Sequence, residues 1–402
     1  MRIAARALLV CICVAAISCT KTLATQGDVL SVAQKRDPGL AQAASGLQGM
    51  SLQQDVAPEH WSLMMVNDAT SPRPHELYSV EWGQELSSVA KNGRLADLGR
   101  LWPRAAASRV LPGFVASVTP SPAQGFIPAA VSTWGLFYNR ALYQEMGSPP
   151  VGDMKAFVTL LDAAKARGVV PIALGTSFGW PGAAWFSYVD LRLNGGRTAW
   201  ERVMGKRPFD DKSGIAAADV LAQWRNAGYF SSDARGATMQ ESLNAVETGR
   251  ALFVLMGAFA SQHFGDLSKV GFMEVPSWKG KGEPRGEIAE LSGFAIAASS
   301  AHPEPALALV DAYVMAASKP PSAEGYGLPM RFRPEEGPEL TAVESRILAK
   351  TRWVFPSEDR IMPPQFVQDS IAVWTSFFSP QSHTGGAELV SALRALREKS
   401  VK

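Results

Sequence analysis

Four tryptophans stand where the chain turns. Trp82 and Trp134 fall at strand ends, Trp180 at a helix entry and Trp278 in a turn, each beside or close to glycine or proline. Loop positions of this kind gather binding residues. The chemistry on offer is stacking. A flat aromatic ring covers the C–H face of a sugar, while the hydroxyl rim needs carboxylate, amide or backbone partners. A buried hydroxyl left without a partner costs ~1–3 kcal/mol, which is how such a site rejects a wrong epimer. Polar neighbours are at hand in Glu81, Gln84, Ser132 and Ser292. Packing alone would equally account for any one of these tryptophans. Trp185, Tyr188 and Val189 have helical spacing and read as core, as do Trp200 and Trp224.

Other chemistry finds less material. The five histidines, His60, His75, His263, His302 and His383, include no pair at i,i+3 or i,i+4, so no metal-pair spacing exists. There is no Walker loop and no G-x-G-x-x-G fingerprint. The segment KGKGEPRGE (279–287) is rich in glycine and charge, but no G-K-[ST] closes it, and it reads as a solvated loop. No metal, cofactor or catalytic residue is therefore assigned. The net charge of +2, from 39 basic and 37 acidic residues, offers no field for a nucleic-acid backbone.

The start of the chain carries export features. Arg2 and Arg6 precede an apolar run from Ala7 to Ile17, which is shorter than the ~20 residues a spanning helix needs. AISC (16–19), with a cut before Cys19, is similar to a lipoprotein box, with Ala16 three places ahead of the cysteine; a later cut after Ala24 is the alternative. All three cysteines, Cys11, Cys13 and Cys19, lie in this segment, so the mature body has neither disulfide nor thiolate chemistry.

These residues need elements to hold them. A chain of 402 residues suggests two domains. Residues 20–60 are weakly patterned and read as a tether. WSLMMV (61–66), HELYSV (75–80), IPAAVS (127–132), VVPIALG (169–175), ALFVLM (251–256), VGFMEVP (270–276) and GFAIAA (293–298) read as strands. Asp153 caps a helix whose apolar face is Met154, Phe157, Leu160, Leu161 and Ala164. Pro181 opens another helix, whose free N–H groups could donate to a ligand oxygen. Further helices fall near 85–95, 214–226, 238–248, 304–316, 341–351, 364–378 and 385–400. Strands alternating with helices imply α/β layers with mostly parallel sheets, and a crevice between two such lobes is the natural ligand site.

Five blocks, in order, carry a family resemblance: SVEWGQELSSVAKNGRLADL (79–98), GLFYNRALYQEMG (135–147), KARGVVPIALGTSFGWPGAAWFSYVDLRLNGG (165–196), ETGRALFVLMGAF (247–259) and ELSGFAIAASSAHPEPALALVDAYV (290–314). Together they resemble the bacterial extracellular solute-binding proteins of carbohydrate type, the maltose-binding-protein-like substrate-binding subunits of ABC importers. The resemblance implies a two-lobed α/β fold with a hinge and an interlobe cleft. It divides the chain into a signal peptide (1–18), an irregular N-terminal region (19–60), one lobe from 61–133 plus 290–337, and a second from 134–289 plus 338–402.

The resemblance also assigns residues. Trp82 matches a W-G-G strand end and Trp180 a tryptophan–proline position. Gly257 and Phe259 match a G-s-W block, with phenylalanine here as the smaller platform. Ser292 and Gly293 match a late hinge-side turn, and Trp374 approximates a further stacking residue. The first crossing between lobes would fall near Ser132–Trp134, with Trp134 facing the cleft while Phe137 and Tyr138 pack inward. HELYSV departs from the family pattern, so one wall of the site is expected to be remodelled. The implied function is capture of a saccharide or polyol by a periplasmic or extracytoplasmic monomer, lipid-anchored through Cys19, for delivery to ABC permease subunits. An exported carbohydrate-active enzyme and an envelope sensor or scaffold are the alternatives.

Overall fold

The computed structural model describes residues 29–34, 38–45, 47, 51–56, 68, 71, 75–99, 125–281, 283, 285–316, 328–329 and 339–400. The expected signal segment, Cys19 and the strand expected at 61–66 lie outside the described residues.

Ten strands are described: β1 (Val29–Gln34), β2 (Ser51–Val56), β3 (Leu77–Glu81), β4 (Phe126–Asn139), β5 (Val170–Ile172), β6 (Ala251–Gly257), β7 (Val270–Met273), β8 (Gly286–Ile296), β9 (Leu328–Pro329) and β10 (Trp353–Phe355). Their order is β2-β1-β3-β8-β4-β6-β5, with β10 on β8 and with β7 and β9 on β4.

Two long strands organise the molecule by changing partners midway. From Phe126 to Thr133, β4 pairs antiparallel with β8; from Trp134 onward it pairs with β6 and then β7. β8 begins beside β10 at Gly286–Ile288 and continues beside β4 and β3. Each strand thus leaves one layered body and enters the other, in opposite directions. That explains a departure from the expected parallel sheets. The two crossing strands pair antiparallel with each other, and among the described strands parallel pairing is found at β1–β2, β1–β3, β5–β6 and β8–β10.

The first body is a sheet with helices on both faces. Tyr78, Val80 and Trp82, two apart and so on one face, pack with Leu86 and Val89 of α2 (Gln84–Lys91). The opposite face covers Leu77, Ile127, Phe294 and Ile296 with Leu40, Ala43 and Ala44 of α1 (Pro38–Ser45) and with α9 (Pro303–Ala316). Residues 19–60, expected as a tether, instead supply β1, α1 and β2. Their strands, VLSVAQ and SLQQDV, are half polar, which is how an edge of a sheet escapes a reading based on apolar periodicity.

The second body is built from α3 (Arg140–Glu145), α4 (Met154–Ala166), α5 (Trp180–Asn194), α6 (Gly196–Val203), α7 (Lys212–Asn226), α8 (Met239–Glu247), α10 (Glu339–Ala349), α11 (Glu358–Ile361), α12 (Pro364–Phe377) and α13 (Gly386–Ser400). Asp153 accepts from the Ala156 amide, and α4 buries the five residues its spacing predicts. A capping box between Thr238 and Glu241 starts α8. α5 is enclosed by α6, α7, α11 and α12, so it is buried almost all round from Pro181 to Arg192. Trp185, Tyr188 and Val189 are core, as the spacing implies, and Trp224 is buried with them. No described helix is long and apolar enough to cross a membrane.

Candidate functional site

Three of the expected aromatics meet where β4 changes partners. Trp134 stands opposite Gly257 of β6. Its ring meets Trp180 edge-on at 5.8 Å and Phe259 at 6.0 Å. Trp180 opens α5, and Phe259 lies in the 3-10 turn Ala258–His263 directly after β6. Gly257 makes the arrangement possible. A Cβ there would lie 2.3 Å from the Phe259 ring and 3.2 Å from Trp134 Nε1. Ser132 fixes the other side, because its Oγ accepts from the Phe259 amide at 3.0 Å. Trp134 is only 3% exposed, so it is the backing of the group and not the open face expected of it. Trp180 and Phe259 keep partly exposed rings.

A charged cluster adjoins the rings. The Trp134 indole Nε1 donates to Glu290 Oε1 at 3.1 Å. Glu290 lies on β8 opposite Ser132 and is almost fully buried; its Oε2 makes no hydrogen bond and sits 3.9 Å from Arg360 Nε. Arg360, from α11, also pairs through Nη2 with Glu81 Oε2 at the end of β3. Burial pushes the Glu290 carboxyl up to about 7; Arg360 opposes the shift, while Asp359 and Glu81 reinforce it.

Beneath the crossing lies a buried polar network. Tyr188 Oη lies 3.1 Å from the Trp134 carbonyl oxygen and 3.2 Å from Glu287 Oε2, with one hydroxyl proton to share between the two acceptors. Arg192 donates to the Val275 and Gly286 carbonyls at 2.7 Å each and to Glu287 Oε1 at 2.5 Å. Arg285 also pairs with Glu287. The segment 279–287 therefore ends inside the protein, although it reads as a solvated loop: Lys281 and Glu283 are exposed and Glu287 is fully buried. On the other side, Glu344 of α10 accepts from the Thr133 amide at 2.9 Å and its hydroxyl at 3.3 Å. Burial raises the Glu344 carboxyl to about 8, with the Thr133 hydrogen bonds opposing.

The remaining expected residues are placed differently. Trp82 is buried against Phe126 at 5.6 Å, in the core of the first body. Trp374 is fully buried between Phe186 and Phe378 and presents no face to solvent. Gly293 is a packing glycine: a Cβ would lie 2.1 Å from the Ile127 carbonyl oxygen. Ser292 is partly exposed and stands opposite Glu81 across the β3–β8 pair. Gln84 begins α2, and its side chain lies outside the described set. The α5 entry is not a free donor set. The Trp180 amide donates to the Phe178 carbonyl, the Gly182 and Ala183 amides donate to Gly179, and Pro181 has no N–H. Phe137 is buried against Phe264 and Phe272, and Tyr138 packs on Tyr143.

Sequence reading passed over four residues here. Arg360 is isolated in SEDRIMPP and has no spacing that marks it. Glu290 was findable, as a carboxylate inside a run of otherwise buried-type strand residues. Phe178, 48% exposed, sits two residues before Trp180. Ser177 belongs to GTSFG (175–179), which has the G-x-S-x-G spacing between a strand and a helix that marks a nucleophile elbow. Its Oγ is buried without a hydrogen-bond partner, so no base rests on it. Among described non-glycine residues only Ser148 has a positive φ, so Ser177 is not held in that left-handed strain.

A family model described as "Bacterial extracellular solute-binding protein" matches residues 65–319. No curated protein matches by sequence. Similar solved structures include one from work on xylan utilization by Caldanaerobius polysaccharolyticus, at 18% identity and TM-score 0.76, covering 92% of this chain and 100% of that one. A chitin oligosaccharide binding protein is similar at 17% identity and TM-score 0.76, covering 93% and 99%. The solute-binding protein RafE in complex with raffinose is similar at 14% identity and TM-score 0.70, covering 93% and 100%. Such identities speak to fold, and the fold is that of two-lobed solute receptors. With well over half of its length matched, the chain belongs to the bacterial extracellular solute-binding protein family.

Proposed function

We propose that this chain is the substrate-binding lipoprotein of an ABC importer and takes a saccharide or polyol between its lobes. The lobes are proposed to divide at the crossings, 61–133 with 290–337 and 134–289 with 338–402, the first joined by β1, α1 and β2. The observation that carries the reading is the Trp134–Trp180–Phe259 group at the strand crossing, in which Trp180 and Phe259 are partly exposed and Trp134 is held by the Glu290 carboxylate. Stacking on Trp180 and Phe259 covers the apolar face of a sugar, and partly exposed Ser292 is a candidate partner for its hydroxyls. Phe178, exposed two residues before Trp180, is a candidate further platform. Similar structures come from work on xylan utilization, from a chitin oligosaccharide binding protein and from a complex with raffinose, which makes the corresponding sugars the first probes. Lipid attachment at Cys19 and delivery to a permease belong to the same proposal. The test is a thermal-shift and calorimetry screen with xylo-oligosaccharides, chito-oligosaccharides and raffinose. Binding that weakens in Trp180→Ala and Phe259→Ala supports the reading, and binding unchanged in both counts against it.

A second reading, an exported carbohydrate-active enzyme, draws on the GTSFG turn. It requires turnover of a glycan or of an ester such as p-nitrophenyl acetate that is lost in Ser177→Ala. The buried, unpartnered Oγ favours binding over catalysis.

A further inference from the structure

We propose that Glu81, Arg360 and Glu290 form an interlobe clasp that positions the Trp134 ring, so that the approach of the two lobes sets the geometry of the aromatic wall. The proposal rests on the functional reading above for its ligand, but its geometry stands alone. Four contacts run in series across the molecule. Glu81 ends β3 in the first body and grips Arg360 Nη2. Arg360 belongs to α11, which packs on α5 of the second body and touches α2 of the first. Arg360 Nε faces Glu290 Oε2 at 3.9 Å. Glu290 Oε1 in turn holds the Trp134 indole N–H at 3.1 Å, and Trp134 backs the rings of Trp180 and Phe259.

The backbone supports the same connection. A Cβ on Gly83, two residues beyond Glu81, would lie 2.9 Å from the Arg360 carbonyl oxygen. The turn after β3 thus rests directly on α11, and a side chain at that position would hold the two bodies apart. One Glu290 oxygen holds the indole, and the other has an ion pair without a hydrogen bond. A buried carboxylate whose second oxygen faces a guanidinium at long range responds when that guanidinium moves. Withdrawal of Glu81 frees Arg360 to close on Glu290, or to leave it, and either movement is felt at Trp134. Glu81, Arg360 and Glu290 are therefore positioning residues; they act on ligand through the rings.

The experiment uses the full mature chain without ligand and reads small-angle scattering together with tryptophan emission. Glu81→Gln and Arg360→Met should each raise the radius of gyration and shift emission to the red as Trp134 gains solvent. The double variant should do no more than either alone, since both break one connection. In a Trp134→Phe background the emission shift should vanish while the expansion remains. Glu290→Gln, which keeps an acceptor for the indole, should hold the wild-type emission that Glu290→Leu loses. Arg360→Met is partly exposed, and should it fail to fold, Glu81→Gln at the surface carries the test. Unchanged scattering and emission in Glu81→Gln would overturn the proposal, as would additive effects in the double variant. Affinity for raffinose or xylo-oligosaccharide should fall about fivefold in Glu81→Gln, the scale of one partly exposed ion pair. If none of these sugars binds wild type, the functional reading fails while scattering and emission still decide the clasp.

Discussion

Trp82 and Trp180 are alike in sequence context and opposite in structure. Both stand at a junction between a strand and a helix, and both have glycine as a neighbour. Trp82 follows Tyr78 and Val80 at intervals of two, so it shares their face and goes into the core of the first body against Phe126. Trp180 follows a turn, not a strand register. The left-handed Gly179 (φ 74°) aims the start of α5 at the crossing, where the ring meets Trp134. The difference teaches that residue type and proximity to a turn do not make a binding wall. The register of the preceding residues decides whether a ring is committed to a core, and Trp374, locked between two phenylalanines inside α12, is the same case as Trp82.

Several measurements sharpen that contrast. The largest expected effect is on the committed rings. Trp374→Ala and Trp82→Ala should each cost ~3–5 kcal/mol of stability, read by denaturant unfolding, because each leaves a large cavity. Next come the wall residues. Trp180→Ala and Phe259→Ala should cost only about 1 kcal/mol of stability, the scale of an edge-on aromatic contact, yet weaken sugar binding by more than about 2 kcal/mol. Equal stability losses in the two groups would erase the distinction. Gly257→Ala is intermediate. The new methyl collides with the Phe259 ring and should cost ~1–3 kcal/mol and weaken binding through displacement of that ring.

A pH series offers a smaller effect with a defined sign. Glu344 titrates near about 8 in the folded protein against 4.5 for the free group. The folded state therefore holds a proton that the unfolded chain releases, and stability falls as pH rises from about 4.5 through 8. Glu358, raised by burial to about 8, acts in the same direction. The melting temperature of wild type should drop across this range, and Glu344→Gln, which keeps an acceptor for Thr133, should flatten the drop. A slope identical in the variant would show that Glu344 takes no part. The smallest effect is expected at Phe178→Ala, which should leave stability within about 0.5 kcal/mol and reduce affinity only for ligands long enough to reach it.

Much of the fold was legible because helices announce themselves. The Asp153 cap and the spacing of Met154, Phe157, Leu160, Leu161 and Ala164 gave α4 with its buried face. The aromatic block at 134–138 marked the crossing, and Trp134, Trp180, Gly257, Phe259 and Ser132 do meet there. The rest was hidden for physical reasons. β1 and β2 are short and half polar, so they carry little period-two signal. The antiparallel pairing of β4 with β8 joins residues far apart in sequence, and nothing local records it. Arg360 is marked out by Glu81 and Glu290, which reach it from two other elements. Burial of Trp134 involves rings that arrive from α5 and from the turn after β6, which no reading of its own neighbours supplies.

Isothermal calorimetry of wild type and the Trp180→Ala/Phe259→Ala double variant against xylo-oligosaccharides, chito-oligosaccharides and raffinose tests the central claim most directly. The account predicts saturable binding of at least one sugar by wild type and its loss in a double variant that still unfolds cooperatively. Binding of equal strength in the two proteins, or no sugar bound by wild type, would contradict it.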